Sequence, residues 1–245
     1  MIQKKNFYKK NGYTTFKNFF SKKKMRKIKS DLINISKKRK KDIFFDNKNR
    51  LRRIEKIYNK STDLSKLNKD ILTLLNKFFG EKYAIFKDKV NIKVPGGDGF
   101  APHYDGVFYF KRGKRRMRGW YEYSDVFVNC LIALDQRSKN NGYIEIAKEN
   151  NIPFEKLIKN MNSKTRQMKK SVLKTAVFKK LPLNIGDITL FSSKCLHKSK
   201  KNSSNRSRSL LYYTYNPSKY GNNYFKYYKD KKNSSNKNKT TPSDS

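Results

Sequence analysis

The stretch KFFGEKYAIFKDKVNIKVPGGDGFAPHYD, residues 77–105, holds the switch on which the fold turns. Its first residues close a run in which Leu64, Leu67, Ile71, Leu74, Leu75 and Phe78 recur at three and four. That spacing lays one apolar stripe along a helix, with Asp63 placed to cap its start and Gly80 its end. From Tyr83 the repeat shortens to two and the residues become β-formers, which predicts a strand over 83–94. Pro95-Gly96-Gly97-Asp98-Gly99 then turns the chain into a second strand over 101–110.

Upstream of this switch the chain reads as helical. An Asn11-Gly12 turn signal is followed by Tyr13 and the pair Phe19-Phe20. Ser21 precedes a basic helix to about residue 36, with Met25, Ile28, Leu32 and Ile35 on one face. A further helix is predicted over 49–58. Downstream, strands are predicted over 125–134, 143–146, 175–178, 187–192 and 207–215, with a helix over 153–162. Helices first and strands afterwards imply a mainly β fold with α: a double-stranded β-helix, or jelly roll, with flanking N-terminal helices. One domain is expected over 1–218, helical over residues 1–80 and with its β core over residues 81–218. Residues 219–245 read as a basic polar tail whose final dozen are expected to be disordered.

Composition narrows the function classes. With 36% hydrophobic and 14% aromatic residues in 245, the chain can bury a core and is not a disordered one. Cys130 and Cys195 follow no metal or disulfide pattern and read as small buried side chains. The basic N-terminus lacks a signal peptide's apolar segment, and no run of about 18 apolar residues crosses a membrane. A soluble cytoplasmic protein is expected. The net charge of +41 attracts polyanions, so a basic nucleic-acid-binding protein is the alternative that charge supports. Tyr224, Phe225, Tyr227 and Tyr228, interleaved with lysines, would serve it by stacking bases. Against it, the lysines lie along the whole chain and accompany abundant Asn and Ile, a pattern of compositional drift.

The chain has two histidines, and their neighbourhoods carry the chemistry. His103 and Asp105 form an HxD pair on the strand predicted after the glycine-rich turn. Residues two apart on a strand project to one side, so imidazole and carboxylate converge while Tyr104 points away. His197 lies 94 residues on, at the end of the apolar run 188–191. Two histidines and a carboxylate make the facial triad of non-haem Fe(II) oxygenases, which leaves three coordination positions open. HxD alone is common, and a lone strand-end histidine is ordinarily structural. The third element is Arg208, eleven residues beyond His197, opening a strand that reads Ser-Leu-Leu-Tyr-Tyr-Thr-Tyr. Its guanidinium suits a two-bond grip on the far carboxylate of a 2-oxoglutarate that chelates iron at its other end. Arg206 competes, but Arg208 lies on the strand beside Leu210 and Tyr212.

The blocks FYKKNGYTTFKNFFSKKKMRKIKSDL, residues 77–105, VFVNCLIALDQRSKNNGYIEI and LNIGDITLFSSKCLHKSKKNSSNRSRSLLYYTYNP resemble the phytanoyl-CoA dioxygenase family. The resemblance runs over roughly residues 7–217. It implies metal ligands at His103, Asp105 and His197 and a co-substrate anchor at Arg208. It also matches Asn129 to a polar position facing the co-substrate in some members, and Lys93 to a recurrent Lys-x-Pro; a core amide and a solvated lysine are the plain alternatives. Two segments depart from the family. Ala147-Lys148-Glu149-Asn150 replaces its Pro-Gly-Ser-His turn, and the basic run 111–118 stands where a lid, or a solvated loop, is expected. The implied activity is an Fe(II)- and 2-oxoglutarate-dependent dioxygenase, with O2 as the other co-substrate. It would hydroxylate a C–H bond of a small organic substrate and release succinate and CO2. Asp105 occupies the position that related halogenases leave for chloride, which favours hydroxylation. Basic residues near the lid point to an anionic substrate. A non-catalytic jelly-roll binding protein is the second alternative.

Overall fold

The computed structural model describes residues 1–38, 42–162 and 167–235 of the chain. Its N-terminal third carries helices α1 (Ile2–Asn11), α2 (Lys22–Lys38) and α3 (Thr62–Phe79), among strands β1 (Tyr13–Phe16), β2 (Ile43–Phe45) and β3 (Leu51–Glu55). The strand series continues with β4 (Tyr83–Lys93), β5 (Phe100–His103), β6 (Phe110–Arg112), β7 (Arg115–Met117), β8 (Val128–Ala133) and β9 (Ile144–Glu149). After helices α4 (Phe154–Lys159) and α5 (Lys170–Thr175) come β10 (Lys179–Leu181), β11 (Ile188–Ser192), β12 (Cys195–Ser199) and β13 (Arg208–Pro217). A last helix, α6, spans Tyr224–Ser235.

Seven strands pair in the order β1-β11-β8-β13-β4-β3-β2, and four in the order β10-β9-β12-β5. All these pairs are antiparallel. Period-two alternation decides what each face of the large sheet meets. On β4, Phe86 and Val90 join α2 and α3 in the outer core, together with Cys130 and Ile132 of β8 and Leu211 and Tyr213 of β13. The opposite faces of β8 and β13 present Leu131, Ala133 and Leu210, which pack against Ile144 and Ile146 of the smaller sheet. Two sheets face to face, with helices outside the larger one, make the expected jelly roll. Each fully buried aliphatic side chain in these layers contributes about 1.5–3 kcal/mol. Among the described residues, no helix is long and apolar enough to cross a membrane.

α3 buries all six residues whose spacing predicts it, and it ends at Gly80 in a left-handed conformation. Its cap is Ser61, whose hydroxyl accepts the Leu64 amide at 3.2 Å; Asp63 instead pairs with Lys27 at 2.9 Å. The helix predicted over 49–58 is a strand. Asp46 accepts the Lys48 and Arg50 amides at 3.0 and 2.9 Å, closing a hairpin that lays β3 along β4. Leu51 and Ile54, three apart, imitate a helical stripe, but the sheet edge claims their backbone. The strand predicted over 175–178 is displaced: α5 ends at Thr175 and β10 begins at Lys179.

The segment expected to be a polar tail from residue 219 contains α6, which buries Tyr224, Tyr227 and Tyr228 and leaves Phe225 exposed. Of the final dozen residues, 234–245, where disorder is expected, the first two close α6 and 236–245 lie outside the described residues. The basic run 111–118 forms the β6–β7 hairpin with exposed Lys and Arg side chains. Arg112 ties that hairpin to Asp230 of α6 at 3.2 Å.

Candidate metal centre

β5 and β12 lie side by side in the smaller sheet, with His103 and His197 as direct register partners. β12 is a separate strand that the sequence reading does not separate from the run 188–191. The β5 strand ends at His103, so Asp105 comes from the turn that follows and not from strand alternation. That turn is held by the Asp105 amide donating to the Ser193 carbonyl at 3.2 Å. Gly106 completes it at φ 73°, where an added Cβ would come within 2.4 Å of the Trp120 ring. A glycine is required there on both counts.

Nδ1 of His103 donates to the Ala101 carbonyl at 2.7 Å, and Nδ1 of His197 to the Cys195 carbonyl at 3.0 Å. A carbonyl only accepts, so each Nδ1 carries a proton and Nε2 is the nitrogen left to face a metal. The Nε2 atoms lie 4.0 and 3.7 Å from the two Asp105 oxygens. One ligand atom from each of the three residues lies within 4.8 Å of the others. Burial, with His197 alongside, lowers the His103 pKa to about 3, so its ring is neutral and ready to ligate. Two imidazoles and one carboxylate, converging on one centre, are a donor set that fits Fe(II) and leaves positions for other ligands.

Arg208 opens β13 opposite Lys93 of β4. It is 7% exposed, and its Nε has no hydrogen-bond partner among the described residues. An unmatched buried donor costs about 1–3 kcal/mol, so this guanidinium is suited to an acceptor brought by a ligand. Burial also lowers its pKa. Arg208, Lys93 and Arg52 line a cleft of about 320 Å³. His103, Asp105, His197 and Lys89 line another of about 300 Å³, and Asn91 and Phe100 line both. The two clefts adjoin, with the three ligand candidates at one end and the arginine at the other.

Asn129 is a buried amide with both ends hydrogen-bonded. Its amide nitrogen donates to Asp105 Oδ2 at 2.8 Å, and its amide oxygen accepts the Thr214 hydroxyl at 2.7 Å. Lys93 is buried, not solvated, and donates to Ser199 Oγ and the Lys200 carbonyl at 2.8 and 2.6 Å. The sequence reading missed Lys89, Asn91, Phe100 and Tyr212 in the cavity wall. A signal existed: Lys87, Lys89, Asn91 and Lys93 stand two apart on one strand, all buried. Such a row marks a polar inner face.

Comparison with known proteins agrees with this architecture. The profile of the phytanoyl-CoA dioxygenase family (PhyH) matches residues 8–210. A 2-aminoethylphosphonate dioxygenase of an uncultured bacterium (HF130_AEPn_1) is 28% identical over 66% of this chain and 56% of its own length. A methylphosphonate hydroxylase of Gimesia maris is 30% identical over 63% of this chain and 54% of its own. The chain thus spans little more than half the length of these relatives. Among solved structures, the α-ketoglutarate-dependent carbocyclase SnoK superposes with a TM-score of 0.70 at 14% identity, over 88% of this chain and 83% of its own. EctD from S. alaskensis, solved with 2-oxoglutarate and 5-hydroxyectoine, superposes at 0.68 and 16% identity, over 89% and 77%. These likenesses establish the jelly roll, and the match across 203 consecutive residues establishes the lineage. The chain belongs to the phytanoyl-CoA dioxygenase family.

Proposed function

We propose that the protein is an Fe(II)- and 2-oxoglutarate-dependent dioxygenase that hydroxylates a C–H bond of a small anionic molecule. The observation that carries this reading is the pairing of two features across two adjoining clefts that share Asn91 and Phe100. Three convergent metal donors stand at one end, and a buried arginine with an unmatched nitrogen stands at the other.

In this reading His103, Asp105 and His197 hold the metal through Nε2, a carboxylate oxygen and Nε2. When bound, the iron supplies O2 activation coupled to decarboxylation of 2-oxoglutarate. The balance is 2-oxoglutarate, O2 and R–H giving succinate, CO2 and R–OH. Arg208 receives the far carboxylate of the co-substrate and aims its keto acid end at the metal. The apolar wall of Phe100, Ile144 and Tyr212 excludes water from the reacting atoms. Arg52 and Lys198 place cationic side chains on the cavity lining, and buried Lys89 and Lys93, whose pKa values burial lowers, would gain a proton beside an anion, which supports an anionic substrate. The two phosphonate-acting relatives make phosphonates the first compounds to try.

The nucleic-acid reading keeps one of its four stacking rings, the exposed Phe225, because Tyr224, Tyr227 and Tyr228 are buried in the core. The deciding experiment is aerobic incubation of the purified protein with 2-oxoglutarate and a panel of phosphonates, carboxylates and amines. Succinate is expected only with added Fe(II), and none from Asp105→Ala. Iron-independent succinate formation, or full activity in that variant, would overturn the reading.

A further inference from the structure

We infer that Asn129, oriented by Thr214, is a positioning residue that restricts Asp105 to one metal-binding oxygen and so keeps a coordination position open. The inference rests on the metal-dependent reading above and goes beyond it.

Asn129 on β8 and Thr214 on β13 are direct register partners, both turned to the inner face of the large sheet. Each is nearly sealed from solvent, at 1% and 3% exposure. The Thr214 hydroxyl donates to the amide oxygen of Asn129 at 2.7 Å, so the amide nitrogen faces the opposite way. There it meets Asp105 Oδ2 at 2.8 Å. The reversed amide would set its oxygen against a carboxylate oxygen, two acceptors with no proton between them. Thr214 and Asp105 thus define one orientation between them. Among the described residues, no other side chain or backbone amide hydrogen-bonds the Asp105 carboxylate.

A free carboxylate beside a divalent ion can bind through one oxygen or two. Binding through two would consume a position that the co-substrate or O2 needs, because a facial triad works by leaving three positions open. A hydrogen bond from Asn129 occupies a lone pair of Oδ2 and fixes the carboxylate plane, leaving Oδ1 as the free donor oxygen. Partners of this kind behind a ligand tune metal sites strongly.

The test uses the 245-residue protein loaded with Zn(II), compared with Asn129→Leu, which keeps the volume and deletes the amide, and Thr214→Val, which removes the hydrogen bond to the amide oxygen and leaves Asp105 alone to orient it. Infrared spectra of protein labelled with 13C in its Asp carboxyl groups report binding mode, because the antisymmetric and symmetric carboxylate stretches draw together on two-oxygen binding. In wild type the metal-bound aspartate is expected to show the wide, one-oxygen separation. In Asn129→Leu it should narrow, with Zn(II) affinity falling by no more than about 10- to 100-fold and 2-oxoglutarate affinity of the Zn(II)-saturated protein falling further. Thr214→Val should shift the same way by a smaller amount. An unchanged carboxylate separation in a folded Asn129→Leu protein would overturn the inference. So would a loss of metal and 2-oxoglutarate binding in equal proportion, the signature of a merely structural residue. Should Asn129→Leu not fold, Thr214→Val decides alone by the same separation. If wild type bound neither Zn(II) nor 2-oxoglutarate, the metal-dependent reading itself would fall, a result distinct from either.

Discussion

His103 and His197, 94 residues apart in the chain, are direct cross-strand partners whose ring centroids stand 4.3 Å apart. Two imidazoles so close cannot both be protonated without strong repulsion, and burial adds to the penalty on His103. Since these are the chain's two histidines, its imidazole NMR spectrum reports on this centre alone. In the metal-free protein, the His103 resonance is expected not to titrate between pH 5 and 8. Unfolded, the ring would titrate near 6.5. The native state therefore binds fewer protons below that value, and stability falls as the pH drops from about 6.5 towards 3. Zn(II) should shift both histidines at once. Either histidine changed to Ala should weaken metal binding by more than about 100-fold, since losing a ligand exceeds the loss of a ligand's partner.

Arg208 offers the second test. A guanidinium matches a carboxylate with two parallel bonds, and an ammonium does not. Arg208→Met should raise the 2-oxoglutarate KM about 100-fold, corresponding to about 2–3 kcal/mol for a buried charge-assisted contact. Arg208→Lys should recover some of the loss, and metal affinity should be unchanged in both. Steady-state succinate assays and Zn(II) titration separate the two effects. Equal KM values in wild type and Arg208→Met would remove this residue from the site.

Much of this centre was legible in the sequence, for a physical reason. Metal ligation restricts residue type, so two scarce histidines and the HxD pair stand out against a background of lysine. α3 was legible because a two-layer contact enforces its apolar period over eighteen residues. What escaped were features set by distant partners. β3 is a strand because β4 offers it an edge, and residues 49–58 contain no trace of that edge. Asn129 faces Asp105 because two strands far apart in sequence bring Thr214 beside it. α6 looked polar because its three buried tyrosines sit among lysines, and mean composition hides a narrow stripe.

Lys93 predicts a proton linkage. Burial first, then the nearby charges of Arg208 and Arg52, lower its pKa to about 6, so at pH 7 the side chain is mostly neutral. A carboxylate arriving at Arg208 brings negative charge beside it and favours the ammonium. Co-substrate binding should therefore take up a proton above pH 6. Affinity should be flat below that value and decline as the pH rises through the raised, ligand-bound pKa. Calorimetry of 2-oxoglutarate binding to the Zn(II)-loaded protein, in two buffers of different ionisation enthalpy, measures this uptake directly. Lys93→Met should abolish it. A buffer-independent heat in wild type would show that Lys93 does not sense the ligand.

The C-terminal helix supplies the last prediction, and it separates packing from nucleic-acid binding. The Tyr224 hydroxyl donates to Asp88 Oδ1 at 2.7 Å, and Asp88 Oδ2 accepts the amides of Ile57 and Tyr58 at 2.5 and 2.6 Å. One buried carboxylate thereby fastens α6 to β4 and to the segment after β3. Burial raises the Asp88 pKa to about 6, while these donors oppose the rise. Tyr224→Phe removes one donor without opening a cavity, so it should cost about 1.5–3 kcal/mol where Asp88 is ionised. The loss should be largest above pH 6 and shrink below it, because the hydroxyl favours the carboxylate over the neutral acid. Denaturant unfolding of both proteins at pH 5 and pH 8 measures the difference. If these tyrosines stacked bases, the same substitution would leave stability unchanged. The helix is fastened from inside, so any effect on RNA or DNA affinity should follow unfolding and nothing else.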